Sequence, residues 1–552
     1  MASLKDERAR VSSAPRKYQP KPLYIQKARH GLEQKITNIR LKKAVIGVCL
    51  AGALTLLMMD YSLFGSKGAW ELTQSVPGLF FIVALPLYIL YRDLKRYKKT
   101  VTDDLQKLVL LCVIIVGAVA VSRFSAEILS TFTRNLPGVG ERAGYFAVPV
   151  ALGAMLATLL FDIHTGIIVS FVMSIFADII MGGEPLFFVY TFVGSMVASF
   201  SVVRCNQRSA LLKAGLFVSL ANMAAAAILD LYRHMLFTRG GLHDIVAASI
   251  GGAFVAVLVS GILPLLESTF KVVTDISLLE YSDLNRPLLR NLMVNAPGTY
   301  HHSIIIGSLA EAAAEAVGVN PLMARVSAYY HDIGKIRKPE YFIENQAKGE
   351  NRHDRLTPSM SSLIISSHVK EGVELARESK LPPAIIDVIM QHHGNALMTF
   401  FFEKAKEAEG AESSVREEDY RYPGPRPKTK VAAIVMLSDA VEAASRVLDN
   451  PTPPRIAAMV DKIVNRIFED GQLNDCDLTL RDLTEINRSF NLLLSGIYHH
   501  RIDYPGLGIP SGGEKRKLGG TAYKQPEEDK APAFHHPEGG RRRAMFVGPG
   551  KR

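Results

Sequence analysis

The chain is 552 residues long, room for about three or four average domains. Hydrophobic residues make up 48 % of it and its mean hydropathy is +0.14 despite 64 Lys and Arg, so apolar and charged residues must be segregated; this excludes a purely soluble globular protein. Four scattered cysteines (Cys49, Cys112, Cys205, Cys476) form no C-x-x-C pair, which excludes a disulfide framework and suits membrane burial and a reducing cytosol.

The formal net charge of +11 comes from the tails. Residues 1–43 hold twelve Lys/Arg against three Asp/Glu, and residues 506–552 hold ten against five, so the stretch between is slightly acidic. No aromatic-interleaved basic motif accompanies this charge. Basic tails beside a membrane are therefore expected, and a DNA or RNA partner is not.

In chain order, the basic segment 1–43 is followed by a membrane domain over 44–267. Eight apolar runs approach the ~20 residues that span a bilayer: 44–64, 76–91, 108–128, 145–161, 166–181, 185–203, 210–231 and 245–266. The fifth and sixth are short enough to form a re-entrant pair instead. The first starts too late, behind a long basic stretch, to be a cleaved signal peptide. Basic residues crowd 1–43, 92–107 and 204–213, so eight spans put these stretches and everything after residue 266 on the cytoplasmic side of a bacterial plasma membrane. The outward connections 65–75, 130–144 and 232–244 leave no room for a globular sensor. Arg123, Asp162, His164, Asp178 and Asp230 lie in or beside the spans, where they would snorkel or cap helices, with a ligand pocket or ion path as the alternative reading.

Residues 268–299 form a linker. Its leucines (Leu278, Leu279, Leu284, Leu288, Leu289, Leu292) predict one amphipathic helix, or two broken at Pro287, that either transmits movement or packs on the next domain. The domain over 300–505 reads as helical throughout, with no sustained alternation, so the fold class is all-α: a helical membrane domain followed by a helical soluble domain. Within it, 404–430 reads as an exposed loop or insertion. The tail 506–552 is Gly/Pro/charge-rich and reads as disordered.

Seven of the fifteen histidines fall between His301 and His393. Their landmarks are Tyr300-His301-His302, His331-Asp332-Ile333-Gly334-Lys335, Ser367-His368 and Gln391-His392-His393. Asp439 sits in an apolar run, where a lone carboxylate is costly unless it meets a cation. Neutral imidazole with carboxylate is a ligand set for two divalent transition metals, Mn, Fe or Zn, with positions open to water and substrate, and the His-rich mixed donors favour Mn or Fe over a purely structural Zn site. Asp332 at a helix end would bridge two ions while His331 binds one. His392 and His393, about a hundred degrees apart around a helix, would approach the same centre. The chemistry indicated is metal-assisted hydrolysis of a phosphate ester. Glu442 and Arg446 read as a structural pair.

The motif His331-Asp332-Ile333-Gly334-Lys335 resembles the signature of HD-superfamily phosphohydrolases. Pro297-Gly298-Thr299-Tyr300-His301-His302-Ser303, Phe342-Ile343-Glu344-Asn345-Gln346, Ser366-Ser367-His368-Val369-Lys370 and Gln391-His392-His393-Gly394 resemble, more specifically, the seven-transmembrane HD (7TMR-HD) family, whose characterised members are PgpH-type cyclic-di-AMP phosphodiesterases. The resemblance implies metal ligands at His302, His331, Asp332, His368, His392, His393 and Asp439, catalytic roles for Asp332 and Lys335, and substrate contact by Lys335. His353 is a further candidate substrate contact, with a loop hydrogen bond as the competing reading. The implied activity is hydrolysis of cyclic di-AMP to pApA, with a homodimer through the linker or HD domain as a further expectation. Typical members carry a large extracytoplasmic domain after the first span; here only 65–75 occupies that place. Cyclic di-GMP hydrolysis is the alternative, weakened because no Gly-Tyr-Pro signature follows His392-His393. A nucleotide-binding membrane receptor and a transporter are the non-enzymatic alternatives.

Overall fold

A computed structural model describes residues 41–59, 69–203, 205, 207–346, 351–409 and 415–498. The basic segment up to residue 40, residues 65–68 of the connection 65–75 and the tail 506–552 lie outside the described residues, and the rest of that connection begins the helix that follows. Among the described residues the fold is all-helical, with one isolated antiparallel bridge between Leu397 and Arg421.

The membrane half comprises α1 (Leu41–Met58), α2 (Ala69–Tyr97), α3 (Lys99–Asp103), α4 (Leu105–Arg134), α5 (Glu141–Phe146), α6 (Leu152–Leu160), α7 (Ile163–Ile180), α8 (Pro185–Ser201), α9 (Arg208–Tyr232) and α10 (Arg239–Phe270). Six of these helices (α1, α2, α4, α7, α9, α10) are long and apolar enough to cross a bilayer, and α8 is a shorter apolar helix. Outward faces carry Phe124, Phe217 and Val257, as a lipid-facing surface should. Packed faces use small residues: a Cβ on Gly215 would lie 2.4 Å from that of Ala256, and one on Gly252 would lie 2.4 Å from the Ser219 backbone. Helices in lipid gain nothing from burying apolar surface, so they associate by this close approach.

The run 145–161, expected as a span, is not one continuous helix. Pro149 lacks an N–H and cannot continue α5, so the chain breaks between Phe146 and Leu152. The break is buried in protein, where irregular backbone is tolerated. Tyr190 donates its hydroxyl to the Phe146 carbonyl (2.6 Å), and α6 itself is almost wholly buried. The broken segment nevertheless runs from one end of the bundle to the other. Gly144 lies against the Leu129–Ser130 backbone late in α4, whereas Asp162, just past α6, pairs with Lys98 at the end of α2 (2.8 Å). The fifth and sixth runs, open to a re-entrant reading, form the successive long helices α7 and α8.

The polar residues of the membrane half are mostly engaged. Asp162 caps α7 by accepting from the Thr165 N–H, and His164 meets Asp93 at 2.7 Å. Arg123 pairs with Glu127 on the same helix, and Asp230 faces Arg142 at 3.5 Å. Asp178 keeps one buried carboxylate oxygen with no hydrogen-bond partner. The basic connection after α2, the start of α9 and the end of α10 share one end of the bundle: Gln106 donates to the Phe270 carbonyl, and Arg208 pairs with Glu280 of the following domain.

The linker resolves into two helices, α11 (Asp275–Tyr281), closed by a Thr274–Ser277 capping box, and α12 (Pro287–Asn295), with Pro287 in its first turn. Leu278, Leu289 and Leu292 pack with Tyr330, Ile333, Ile385 and Ile389 of the soluble domain. That domain is built from α13 (Pro297–Ala316), α14 (Pro321–Tyr330), α15 (Pro358–Glu378), α16 (Pro383–Gln391), α17 (Thr399–Glu409), α18 (Lys430–Ser445), α19 (Pro453–Glu469) and α20 (Leu480–Ile497), with short 3-10 turns between Ile333 and Arg355. Proline opens five of these eight helices, the place where its missing N–H costs nothing. The core joins Ile306 and Ala313 of α13 to Val435 and Leu437 of α18 and Phe490 of α20.

The segment 404–430 is not simply an exposed loop. Tyr420 is buried with Phe402, Arg421 pairs with Asp470 (3.1 Å), and the Tyr422 N–H donates to the Ala396 carbonyl (3.0 Å). The prolines and charges suggested solvent, but aromatic burial and this short backbone pairing bring the segment back over the soluble domain.

Candidate metal centre

Each candidate ligand sits at a helix end or on a helix face whose local sequence explains its aim. Gly298 lies where a Cβ would come within 1.8 Å of the Glu344 carbonyl, so only glycine lets the 343–345 turn close on α13. Thr299 then bonds Glu344 and Asn345, which fixes the first turn of α13 and turns His302 inward while His301 stays exposed. His331 caps the end of α14, with Asp332 directly after it. Gly334 allows the next turn to lie on α15: a Cβ there would fall 1.9 Å from the His368 carbonyl. The glycine of the HD-x-G-K signature is thus a packing requirement.

Three histidines share one device. His331 Nδ1 lies 2.6 Å from the Ala328 carbonyl, His368 Nδ1 2.5 Å from that of Ile365, and His392 Nδ1 2.7 Å from that of Ile389. Each ring donates Nδ1–H to the carbonyl three residues back, which leaves Nε2 as a lone pair facing the centre. His302 uses a carboxylate instead: its Nδ1 lies 2.6 Å from Glu442 Oε2, and Glu442 is held in turn by Arg446.

All seven candidate ligands converge. Asp332, His368, His392 and His393 place ligand atoms within 4.8 Å of one another, and so do His302, His331 and Asp439. Asp332 joins the two groups: Oδ1 faces His368 (3.3 Å) and His392 (3.6 Å), and Oδ2 faces His331 (3.2 Å) and His302 (3.6 Å). Asp439 meets His302 at 3.0 Å and His393 at 3.7 Å. His331 Nε2 and Asp332 Oδ1 are buried with no hydrogen-bond partner. Buried polar atoms without partners are costly, and a cation between them is the arrangement that removes the cost, so these residues fit a pair of divalent ions.

The electrostatics agree with the geometry. Burial opposes charge on Asp332, but His331 and Lys335, with the His368 ring beside it, outweigh it and hold the carboxyl well below its usual range. Asp439 is likewise held low against burial by His302, His393 and His331. Burial disfavours a charged His302, yet Asp439 and Glu442 raise it to about 9. Burial and neighbouring imidazoles push His393 well down, which suits neutral ligand nitrogen. Lys335 is buried between Asp332 (2.7 Å) and Glu344 (2.8 Å), beneath the Phe342 ring.

His353 does not join this cluster. Its Nε2 donates to the Tyr341 carbonyl (2.8 Å) and its ring packs between Tyr341 and Phe401, the loop hydrogen bond that was the competing reading. Other residues take places the sequence reading did not assign. Glu442, read as half of a structural pair, orients His302. Glu344 anchors Lys335, and Tyr422 stacks on His393 with ring centres 4.3 Å apart. A cavity of about 520 Å³ opens beside His392, His393 and Asp439, walled by Thr399, Arg421 and Arg466. No local motif marks these walls, because they come from three distant segments.

Residues 73–274 match the family described as 7TM receptor with intracellular HD hydrolase, and residues 299–444 match the HD domain. The chain is similar to the seven-transmembrane HD family over its membrane half and to the HD domain over its soluble half. The first match begins within α2 and ends before α11, so the seven spans of this family correspond to α2, α4, the broken α5–α6 segment, α7, α8, α9 and α10, with α1 preceding them. The HD match contains all seven convergent candidate ligands. Among relatives, the chain is 35 % identical over 442 residues to the cyclic-di-AMP phosphodiesterase PgpH of Bacillus subtilis (strain 168), covering 79 % of this chain and 61 % of that protein. It is 44 % identical over 301 residues to the PgpH of Listeria monocytogenes serotype 1/2a (strain 10403S), covering 54 % of this chain and 42 % of that protein. An uncharacterized protein of Synechocystis sp., slr0104, is 41 % identical over 264 residues, covering 47 % of this chain and 32 % of that one. The chain thus spans about three-fifths or less of the length of these relatives.

Proposed function

We propose that this chain is a membrane-anchored, metal-dependent phosphodiesterase that opens cyclic di-AMP to linear pApA. The observation that carries hydrolysis is the convergence of five histidines and two aspartates around the buried, unpartnered His331 Nε2 and Asp332 Oδ1. The choice of nucleotide rests on the two relatives named PgpH, at 35 % and 44 % identity.

Two divalent ions, Mn or Fe by the mixed imidazole and carboxylate donors, would supply Lewis acidity and an activated water between them. The chain's own residues do the rest. His302, His331 and Asp439 would hold one ion and His368, His392 and His393 the other, with Asp332 facing both groups. Glu442 and the carbonyls of Ala328, Ile365 and Ile389 hold four of the rings in register. Lys335, locked by Glu344, keeps a positive charge beside Asp332 where a non-bridging phosphate oxygen would lie. The cavity beside His393 admits the nucleotide, with Arg421 and Arg466 in its wall. The basic connections at the HD end of the bundle support a cytoplasmic active site, where the second messenger is found.

The test uses the full-length protein in detergent with Mn²⁺, given cyclic di-AMP and cyclic di-GMP separately and followed by chromatography. Formation of pApA that stops on chelation is the expected result. Binding without turnover would make the chain a receptor, and preference for cyclic di-GMP would overturn the substrate assignment.

A further inference from the structure

A cavity of about 790 Å³ lies where the last membrane helix meets the HD domain, away from the metal cluster. Four cations line it: Lys271 just past α10, Arg286 before α12, and Arg377 and Lys380 at the end of α15. Among the described residues none of the four forms an ion pair; Arg286 only covers the Tyr281 ring, 4.3 Å from its centre. Of the acidic lining, Glu280 pairs with Arg208 (2.7 Å), which leaves Glu267, the acceptor of the Thr274 hydroxyl, and Asp387. Four cations against these two carboxylates give the cavity a surplus of positive charge.

Two of these lysines are placed there against backbone preference. Lys271 and Lys380 have φ of 53° and 55°, the left-handed region in which glycine usually ends a helix, and they are two of the four non-glycine residues with positive φ among the described residues. A lysine at such a position projects a cation where glycine would close the helix more easily.

The location limits what the charge can meet. Pro264, Glu267 and Ser268 belong to the last turns of α10, so the cavity sits at the surface of the bilayer that α10 crosses. Beside the cations it offers apolar wall from Ile386 and Met390. Those residues lie on α16, whose end presents His392, and Arg377 lies on α15, which carries His368.

We infer that this cavity binds a phosphate-bearing anion, and that its occupant is the headgroup of an anionic phospholipid from the leaflet around the end of α10. An acidic headgroup with its glycerol and upper acyl chain matches both the unpaired cations and the apolar wall. The binding does not depend on the hydrolytic assignment, so its test does not use hydrolysis.

The full chain is reconstituted in phosphatidylcholine nanodiscs carrying a minor fraction of spin-labelled phosphatidylglycerol or spin-labelled phosphatidylcholine, and the immobilised fraction is measured. Phosphatidylglycerol is expected to be held in preference, with its affinity falling roughly tenfold in the Arg377→Gln/Lys380→Gln variant. Lys462→Gln, on α19, should change nothing. Arg286→Gln gives an independent reading if the double variant does not fold. Equal retention of both lipids, or unchanged retention in folded cavity variants, overturns the site. Displacement of the labelled lipid by millimolar inorganic phosphate or glycerol phosphate would assign the cavity to a soluble phosphate and overturn the lipid source.

Discussion

Glu442 offers the sharpest test of how the metal site is built. It is buried on α18, its Oε2 lies 2.6 Å from His302 Nδ1, and Arg446 holds the other oxygen at 2.7 Å. In the Glu442→Ala variant, His302 loses the acceptor that fixes its tautomer and one of the two carboxylates that make it basic. The ring then rotates about its free torsion, and Nε2 is no longer held toward Asp439 and Asp332. Partners of this kind contribute about 10- to 100-fold in metal affinity or activity, or ~1.4–2.7 kcal/mol. Arg446 is partly exposed and rehydrates, so the loss should appear at the metal rather than as global unfolding. The assay is hydrolysis of cyclic di-AMP across a Mn²⁺ titration, with calorimetric metal affinity and a melting curve on the same sample. The expected result is a rightward shift of the Mn²⁺ dependence by one to two decades, partly restored in Glu442→Gln, whose amide oxygen can still accept. A folded Glu442→Ala variant with parental metal affinity and activity would refute the positioning role.

Three further outcomes follow from the same geometry. Asp332→Ala should reduce hydrolysis to background with the fold retained, because Asp332 faces two histidines of each ligand group; full activity in a folded variant would remove the bridging assignment. Stripping metal should lower the melting temperature of the HD domain. Restoring Mn²⁺ at about 100 times its Kd should return ~2.7 kcal/mol, or roughly 5–10 °C, and a melting curve indifferent to metal would count against the site. Gly334→Ala should cost roughly 2–3 kcal/mol by overpacking, since the new methyl would meet the His368 carbonyl, and should weaken metal binding by displacing that helix; urea denaturation and Mn²⁺ titration measure the two effects.

Much of this protein is written in local pattern. Apolar runs near the length of a bilayer crossing identify the membrane helices, because a helix in lipid must satisfy its own backbone and show apolar side chains outward. The seven candidate ligands are legible because metal chemistry admits few residue types, and their motifs lie on short segments. Proline at helix starts and the glycines of Pro297-Gly298 and HD-x-G-K can be read the same way. Only the tertiary structure decided the rest. It shows that Pro149 breaks a span without ending it, since a break is tolerable only where neighbouring helices bury it. It makes Glu442, read as half of a structural pair with Arg446, also the partner of His302, 140 residues away, and Glu344 the anchor of Lys335. It moves His353 into a loop hydrogen bond and folds Tyr422 onto His393. The sequence by itself determined which side chains can bind a metal or lie in a membrane, because those follow from chemistry and period. The aim of each side chain was left to packing, because orientation depends on partners that the chain brings close only when it folds.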